Sequence, residues 1–155
     1  MELIPITISG APERPAPELP DAAREALAGT AMLYRETGFD PPWIGYLAVD
    51  EGVCIGTCAF KCAPSAGSVE LAYFTFPGHE GRGLATRMCR ALVALAHAAQ
   101  PGIVITAQTL PERNASTRVL EKSGFRLDRE FDHPEDGPVW EWRLDPLAGD
   151  DDATG

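Results

Sequence analysis

The segment between residues 69 and 109 constrains the fold most. It holds an uninterrupted strand-like run, Val69–Phe76, that stops at Pro77-Gly78, then a glycine-containing loop, a helical stretch from about Gly83, and a second strand-like run. Two strands joined through one helix in this way pair in parallel by a right-handed crossover. The chain is therefore predicted to contain a sheet with a parallel pair and a helix packed over it.

The rest of the chain adds antiparallel strands and two more helices. Asp21 is expected to cap a first helix that Gly38 ends, and Asn114 a short third helix that Gly124 ends. The pattern predicts an α/β (α+β) fold in the order β-α-β-β-β-α-β-α-β-β, with helices flanking a mixed, mostly antiparallel sheet of six to seven strands. The predicted strands cover residues 3–9, 43–49, 53–60, 69–76, 103–109, 125–131 and 139–144, and the predicted helices 21–37, 83–99 and 114–122.

Length and composition fit one domain. The chain has 155 residues, of which 45% are hydrophobic, enough for a sizeable core. We assign residues 1–145 to this domain and predict that the small, acidic segment 146–155 is a disordered tail. The segment Met1–Pro5 lacks the basic and apolar regions of a signal peptide, and no apolar run is long enough to span a membrane. We therefore expect a cytoplasmic protein, whose oligomeric state, a homodimer included, the sequence leaves open.

Charge is distributed unevenly along the chain. The net charge of −10 argues against nucleic acid or an anionic membrane as a partner. The window 81–126 nevertheless holds seven basic and two acidic residues, so it carries +5 and the remainder of the chain −15. This window is either ordinary helix surface or a site for an anionic ligand. Its basic residues are Arg82, Arg87, Arg90, Arg113, Arg118, Lys122 and Arg126.

The four cysteines do not form a metal motif. Cys54, Cys58 and Cys62 are spaced by four residues within or just after a strand, and Cys89 stands apart. Tetrahedral metal sites need closely paired ligands on turns together with partners that complete the set. We interpret the cysteines as reduced core thiols and expect no metal.

The loop Glu80–Ala85 has the composition of a phosphate site. A helix that starts at a glycine-rich turn presents unpaired N–H groups and the positive end of its dipole to an anion. Gly81 and Gly83 would let the anion approach the backbone closely, and Arg82 and Arg87 would add positive charge. The Gly-Lys-Ser/Thr of a P-loop and the third glycine of a dinucleotide fingerprint are absent. The loop fits the short form Gln/Arg-x-x-Gly-x-Gly/Ala, except at its first residue.

A second motif follows one strand later. It is the segment Asn114-Ala115-Ser116-Thr117-Arg118-Val119-Leu120-Glu121-Lys122-Ser123-Gly124-Phe125. The two motifs, in this order and spacing, resemble the GNAT acyl-CoA N-acyltransferase superfamily. The second motif, with Leu120, looks most like the ribosomal-protein-acetyltransferase-like branch. The resemblance is carried chiefly by residues 70–125.

This resemblance implies the GNAT fold, in which a parallel pair of strands splays apart and takes the pantetheine arm of acetyl-CoA between its strands. Acetyl-CoA would be the cosubstrate. The backbone of Phe74, Thr75 and Phe76 would contact the pantetheine and thioester, and a backbone N–H near Phe76 would stabilise the oxyanion. Asn114 would bond to the pantetheine, serve only as a helix cap, or do both. The pyrophosphate would be wrapped by His79, Glu80, Gly81, Arg82, Gly83, Leu84, Ala85 and Thr86, with Ser116 and Arg118 also near the cofactor.

Two positions depart from the family pattern. Glu80 stands where Gln or Arg is usual, and a carboxylate beside a pyrophosphate is unfavourable, so we expect its side chain to point away. Many members have, at the position of Leu120, a Tyr that acts as an acid towards the departing thiolate. Leu120 cannot donate a proton, so either Ser116 replaces it or solvent does, since a thiol with a pKa near 8.5 asks little of an acid.

The family also suggests a base and an acceptor site. Many members carry a base glutamate at the position of Glu70, which is otherwise a structural carboxylate in an apolar strand. Alternation places Glu70, Ala72, Phe74 and Phe76 on one face of that strand and Tyr73 on the other, where a core role is more common than a catalytic one. An ionised glutamate is a weak base at neutral pH, so burial or a bridging water would have to assist it. The walls of the acceptor site are expected from Trp43, Tyr46 and Trp140, each of which is otherwise a core residue.

Together these observations predict an N-acetyltransferase that moves an acetyl group from acetyl-CoA to a primary amine of a small molecule or peptide by direct attack. The alternative is an acyl-CoA-binding module without turnover. The acidic surface hints at a cationic amine, and the sequence does not identify the acceptor.

Overall fold

The structure is a computed structural model that describes residues 1–147. Its elements follow the predicted order without exception, and the predicted fold class is confirmed. They are β1 (Glu2–Pro5), α1 (Asp21–Thr37), β2 (Gly45–Asp50), β3 (Val53–Phe60), β4 (Ser68–Thr75), α2 (Leu84–Ala99), β5 (Val104–Thr109), α3 (Ala115–Lys122), β6 (Arg126–His133) and β7 (Gly137–Leu144).

The seven strands form one sheet in the order β1-β2-β3-β4-β5-β7-β6. All neighbours are antiparallel except β4 and β5, the pair that the crossover through α2 predicts. The parallel pairing is short, because only Ser68–Glu70 pairs with Val104–Thr106. Beyond Glu70, β4 continues to pair with β3 but not with β5. A gap therefore opens between the two parallel strands, and we call it the splay.

Helices α1 and α2 cover opposite faces of the sheet. Gly45 lies against Thr30 and Tyr34 of α1, whereas Gly56 on the next strand lies against Met88 of α2. Gly56 pairs with Ala48, which is three residues from Gly45 on β2, and an odd separation along a strand reverses the face. The core therefore consists of two layers, one on each side of β2 to β5.

Helix α1 buries the four residues that its periodicity predicts, Ala23, Leu27, Ala31 and Tyr34. Its N-terminus differs from the prediction, because Asp21 is the first helical residue and Pro20 occupies the cap position without a side-chain cap. The Asp21 carboxylate instead pairs with Arg24 at 2.7 Å. In α2 the buried residues are Leu84, Met88, Cys89, Leu92 and Ala96. The apolar period of this helix also predicts Leu95, but Leu95 is only half-buried.

Several smaller predictions are corrected. Strand β1 ends at Pro5 rather than near Ser9, since Ile6 makes only an isolated bridge to Pro12. The β6–β7 turn is shorter than predicted, because pairing continues to His133 opposite Gly137. Most of the predicted tail, residues 148–155, lies outside the described part of the chain. Within residues 1–147 no helix is long and apolar enough to cross a membrane.

Three of the four cysteines are core thiols, as predicted, and Cys62 is exposed. Burial raises the pKa of Cys58 to about 12 and that of Cys89 to about 11. Such thiols stay protonated and unreactive at neutral pH. In the described range no group of three or more metal-binding side chains comes together.

Candidate active site

A cavity of about 470 Å³ lies where the glycine loop, the end of β4 and the first turns of α3 meet. It brings together most of the residues that the two sequence motifs predict, although the motifs are some 30 residues apart. The lining residues are Tyr73, Phe74, Thr75, His79, Glu80, Gly81, Gly83, Leu84, Ala85, Thr86, Ala115, Ser116, Arg118, Val119 and Lys122.

The N-terminus of α2 faces this cavity with its first N–H groups uncapped. Gly83 takes the cap position in a left-handed conformation, with φ of 74°, and in the described chain no side chain caps the helix. Gly81 has φ of 77°, and a Cβ on either glycine would meet nothing within 4 Å. Both glycines are thus needed for the turn, and the space above them is open. This geometry suits an anion bound by backbone N–H groups.

Two cations that line the cavity, Arg118 and Lys122, have no carboxylate within ion-pair distance in the described residues. The same holds for Arg82, which belongs to the glycine loop but does not itself line the cavity. Arg87, predicted to add charge to the loop, instead pairs with Asp50 at 3.0 Å. The basic window therefore divides into cations that tie the fold together and cations that face the cavity.

The side chains of Glu80 and His79 are engaged within the loop itself. The carboxylate of Glu80 accepts a hydrogen bond from the Gly78 N–H at 2.8 Å. Hydrogen bonds from the backbone N–H groups of Glu80 itself and of Gly78 lower the pKa of Glu80. The guanidinium of Arg82 lies 3.2 Å from His79 Nδ1. Glu80 thus supplies negative charge where the family pattern has an amide or a cation, but its carboxylate already has backbone donors.

The backbone of β4 corrects one detail of the predicted cofactor contacts. The N–H of Phe76 donates to Ile55 O at 2.8 Å, so it is not free for an oxyanion. Lys61 N–H donates to Glu70 O, and N–H directions alternate along an antiparallel strand. Hence Glu70, Ala72, Phe74 and Phe76 direct their backbone groups towards β3, whereas Tyr73 and Thr75 direct theirs into the splay.

Asn114 caps α3 in a full capping box. Its side chain accepts from Thr117 N–H at 3.1 Å, and the Thr117 hydroxyl accepts from Asn114 N–H at 2.9 Å. The Asn114 oxygen is therefore committed to the helix, and only its amide N–H groups are left to bond elsewhere. Ser116 is exposed on the cavity wall, while Leu120 is fully buried in the core.

Tyr73 is a cavity residue that sequence reasoning assigned to the core. Its side chain lines the cavity, and its hydroxyl donates to Ser116 O at 3.1 Å, which links β4 to α3. Burial is the main cause that raises the pKa of Tyr73 well above the ordinary value, so the phenol stays protonated. Alternation along the strand places Tyr73 on the face opposite Glu70, and this pattern was the sequence signal for its position in the site.

Glu70 lies on the other face of β4 in a row of polar side chains. Its Oε2 atom is buried 2.7 Å from Lys61 Nζ, but at an angle outside hydrogen-bond geometry. Its Oε1 accepts a long hydrogen bond of 3.4 Å from Gln108 Nε2. Gln108 is opposite Glu141 in the β5–β7 pairing. The sequence did not point to Lys61 or Gln108, because only the strand register brings them to Glu70.

This face of β4 is open beside Glu70. Ala72 and Phe74 are exposed, Phe74 to 53%. Phe76, predicted on the same face, is buried and does not contribute to this open surface. Tyr46 does not line this face. It is 5% exposed and donates its hydroxyl to Pro42 O, so it is a core residue, the alternative that the sequence allowed, and not an acceptor wall.

The two predicted tryptophans remain only partly buried. Trp43 lies just before β2 and packs edge-on against Phe60, with ring centroids 5.1 Å apart. Phe60 is the last residue of β3 and precedes Lys61. Trp140 donates its Nε1–H to Glu130 and lies beneath Arg113, 5.3 Å from the ring centroid. Trp140 alternates with Glu141 on β7 and therefore faces away from Glu70.

A mixed α/β sheet with one splayed parallel pair, and an uncapped helix N-terminus with unpaired cations beside it, are features that suit an anionic ligand. The chain belongs to the GNAT acetyltransferase family, since the family model for the acetyltransferase (GNAT) domain matches residues 8–126. A search among curated proteins found no similar sequence.

Solved structures share the fold at low identity. The aminoglycoside acetyltransferase AAC(6')-Ib in complex with coenzyme A is 23% identical, with a TM-score of 0.57 over 66% of this chain and 65% of its own. YncA, a putative acetyltransferase from Salmonella typhimurium with acetyl-CoA, is 21% identical, with a TM-score of 0.59 over 79% and 73%. The ribosomal-protein-S5-alanine acetyltransferase of Vibrio fischeri is 17% identical, with a TM-score of 0.63 over 85% and 78%. This chain thus spans less than two thirds of the aminoglycoside enzyme.

Proposed function

We propose that this protein is an N-acetyltransferase that moves an acetyl group from acetyl-CoA to a primary amine of a small molecule or peptide. The observation that carries the proposal is the division of β4 into two faces at the splay. One face and the backbone edge border a cavity with uncapped N–H groups and unpaired cations, and the other face presents Glu70. The acetyl-CoA or coenzyme A in two of the similar structures supports the choice of donor.

Acetyl-CoA would supply an acyl group on a thioester and two linked phosphates that need a binding site. The first N–H groups of α2, at Leu84, Ala85 and Thr86, would bind the pyrophosphate together with the open backbone at Gly81 and Gly83. Arg82, Arg118 and Lys122 would balance its charge. The backbone of Tyr73 and Thr75 would bond to the pantetheine arm in the splay, with Phe74 beside it. Asn114 would add its free amide N–H groups.

Glu70 would take the proton from the acceptor amine. At pH 7 the deprotonation of an amine with a pKa near 10.4 costs about 4.6 kcal/mol, and that of an α-amine near 7.8 about 1 kcal/mol. The first proton must leave before attack, because an ammonium nitrogen has no lone pair, and the Glu70 carboxylate would relay it to solvent. The same carboxylate would take the second proton as the N–C bond forms. Lys61 shields Glu70 and would have to be displaced by the acceptor, while Gln108 holds Oε1 in place.

The transfer balances as a direct displacement. The amine nitrogen forms a bond to the thioester carbonyl carbon, and the carbonyl oxygen takes negative charge. That oxygen would accept a hydrogen bond from the backbone N–H of Thr75 or Tyr73. The C–S bond then breaks and its electron pair leaves with sulfur. The proton lost by nitrogen passes through Glu70 to solvent, and the thiolate is protonated by Ser116 or by solvent. The acceptor would enter over Ala72 and Phe74, with Trp43 at one side.

Release of free thiol tests this proposal. Purified protein with acetyl-CoA is offered a panel of amino acids, polyamines, aminoglycosides and peptides with free N-termini. We expect thiol release with at least one of these acceptor classes, and stabilisation by about 2.7 kcal/mol at 100 times the Kd of acetyl-CoA. Binding without thiol release from any acceptor would instead support an acyl-CoA-binding module, and no stabilisation at all would contradict both.

Glu70→Gln tests the base, with Glu2→Gln as a matched control. Glu2 is also a strand carboxylate in an ion pair of 2.7 Å, with Arg14, but lies on the edge strand β1. We expect Glu70→Gln to lower kcat by about 100-fold or more below the wild-type value, as for loss of a general base. The loss should be largest for acceptors with high amine pKa. Full activity of Glu70→Gln at every pH would refute the base assignment.

A further inference from the structure

The two faces of β4 carry different polar groups at the splay. Glu70, Ala72 and Phe74 face the open side, whereas Leu71, Tyr73 and Thr75 face α2 and α3. Tyr73 pairs across the ladder with Cys58 in the core, and its hydroxyl reaches the first turn of α3. Tyr73 therefore spans the floor of the cavity from the sheet to the helix, on the opposite side of β4 from the base.

We propose that Tyr73 is a catalytic residue whose hydroxyl donates a hydrogen bond to the sulfur of coenzyme A as the thiolate departs. This inference rests on the proposed function. It places the amine on the Glu70 face and the leaving sulfur on the Tyr73 face. The amine would then attack the thioester in the splay from one side, and the thiolate would depart on the other.

Three features of the site favour Tyr73 for this role. Its side chain lines the cavity, and the present partner of its hydroxyl is the backbone carbonyl of Ser116. That bond can be exchanged for one to a thiolate, because hydrogen bonds to charged groups are stronger than those to neutral ones. Leu120, on the adjacent helix, is fully buried and has no proton to offer.

Tyr73 would stabilise the thiolate without giving up its proton. A phenol is a weaker acid than a thiol, and burial in the cavity wall weakens it further. The electron pair of the broken C–S bond therefore stays on sulfur, held by the O–H group, until solvent protonates the released coenzyme A. Ser116 then contributes its backbone carbonyl, which orients the phenol, rather than its hydroxyl.

The thiol pKa of bound coenzyme A tests this role without turnover. The ultraviolet absorbance of the thiolate is titrated for coenzyme A bound to wild type, to Tyr73→Phe and to Tyr34→Phe, and kcat is measured for each. We expect Tyr73→Phe to raise the pKa of the bound thiol by about 1 and to lower kcat about tenfold, the effect of one hydrogen bond to a charged group. Tyr34→Phe removes a buried hydroxyl that bonds Ile6 O and Gly45 N far from the cavity, and should change neither.

A second variant covers the case in which Tyr73→Phe loosens α3. 3-Fluorotyrosine placed at position 73 keeps the ring and the O–H group but makes it a stronger donor, so the pKa of the bound thiol should fall below the wild-type value. An unchanged thiol pKa in both variants, with coenzyme A bound and turnover intact, would overturn the role of Tyr73 and leave the proposed function standing. Absence of coenzyme A binding to wild type would overturn both.

Discussion

Gly56→Ala should damage the splay without touching a polar group. Gly56 lies on β3 opposite Thr75, where β4 lines the cavity. A Cβ at this glycine would lie 2.4 Å from Phe74 O and 3.0 Å from Met88 Cε. Methionine can move, but the Phe74 carbonyl cannot retreat without carrying β4 with it. Since close C···O contacts in sheets are near 3.3 Å, the strand must shift by roughly 0.9 Å.

The magnitude follows from overpacking. Inserting a methyl group against fixed backbone typically costs about 1–3 kcal/mol, which in a chain of this size lowers Tm by about 2–12 °C. The displaced β4 backbone also presents Tyr73 and Thr75 wrongly to a pantetheine arm. We therefore expect the Kd for coenzyme A to rise about tenfold, measured by calorimetry at a temperature where both proteins are folded.

Gly29→Ala is the matched control. Gly29 lies inside α1, and a Cβ there meets nothing within 4 Å. Because alanine favours helix, this change should stabilise the protein by roughly 0.5–1 kcal/mol and leave the Kd unchanged. If Gly56→Ala keeps both the wild-type Tm and the wild-type Kd, the close approach of β3 to β4 is not what shapes the splay, and the reasoning fails.

Four further outcomes are expected. Arg118→Ala should weaken coenzyme A binding by about 5- to 30-fold and reduce its salt dependence, because an unpaired cation is lost; an unchanged salt dependence in titrations would contradict this. Glu80→Gln should strengthen binding by about two- to fivefold, the scale of an exposed charge, and calorimetry that shows weaker binding would refute a repulsive role. Asn114→Ala should cost about 0.5–2 kcal/mol of unfolding free energy in urea through loss of the cap of α3, with Asn114→Asp close to wild type. Burial raises the pKa of Cys58 to about 12. The protonated thiol therefore stabilises the fold fully below the pKa of an unfolded thiol, about 8.5, and this contribution is lost as pH rises towards 12. Between about pH 8 and about pH 10, the free energy of unfolding in urea should fall less for Cys58→Ala than for wild type.

The order of elements was predictable because each depends on local sequence. The apolar period of α1, the break at Pro77-Gly78 and the αL-type glycines of the loop act within a few residues of their own position. The cap of α3 is equally local, since Asn114 and Thr117 are three residues apart. The family motifs lie on these same local segments, so the residues that line the cavity from the glycine loop and from α3 could be predicted with them.

The chemistry around β4 was only partly predictable. Alternation separated Glu70 from Tyr73, but it could not say which face borders the cavity or which backbone groups are already bonded. The N–H of Phe76 is used by Ile55, and Arg87 is used by Asp50, through contacts between segments far apart in sequence. Such partners depend on strand register and helix placement, which packing of the whole core decides.

By itself, therefore, the sequence determined the crossover, the glycine loop and the motif of α3, because turns, caps and periodicity are short-range properties of the chain. The tertiary structure decided that β4 and β5 separate after Glu70, that Lys61 and Gln108 meet this carboxylate, and that Tyr73 rather than Tyr46 lines the cavity. Each of these depends on which strands are neighbours and in what register. The burial of two apolar layers around the central strands fixes both, and no single segment encodes that arrangement alone.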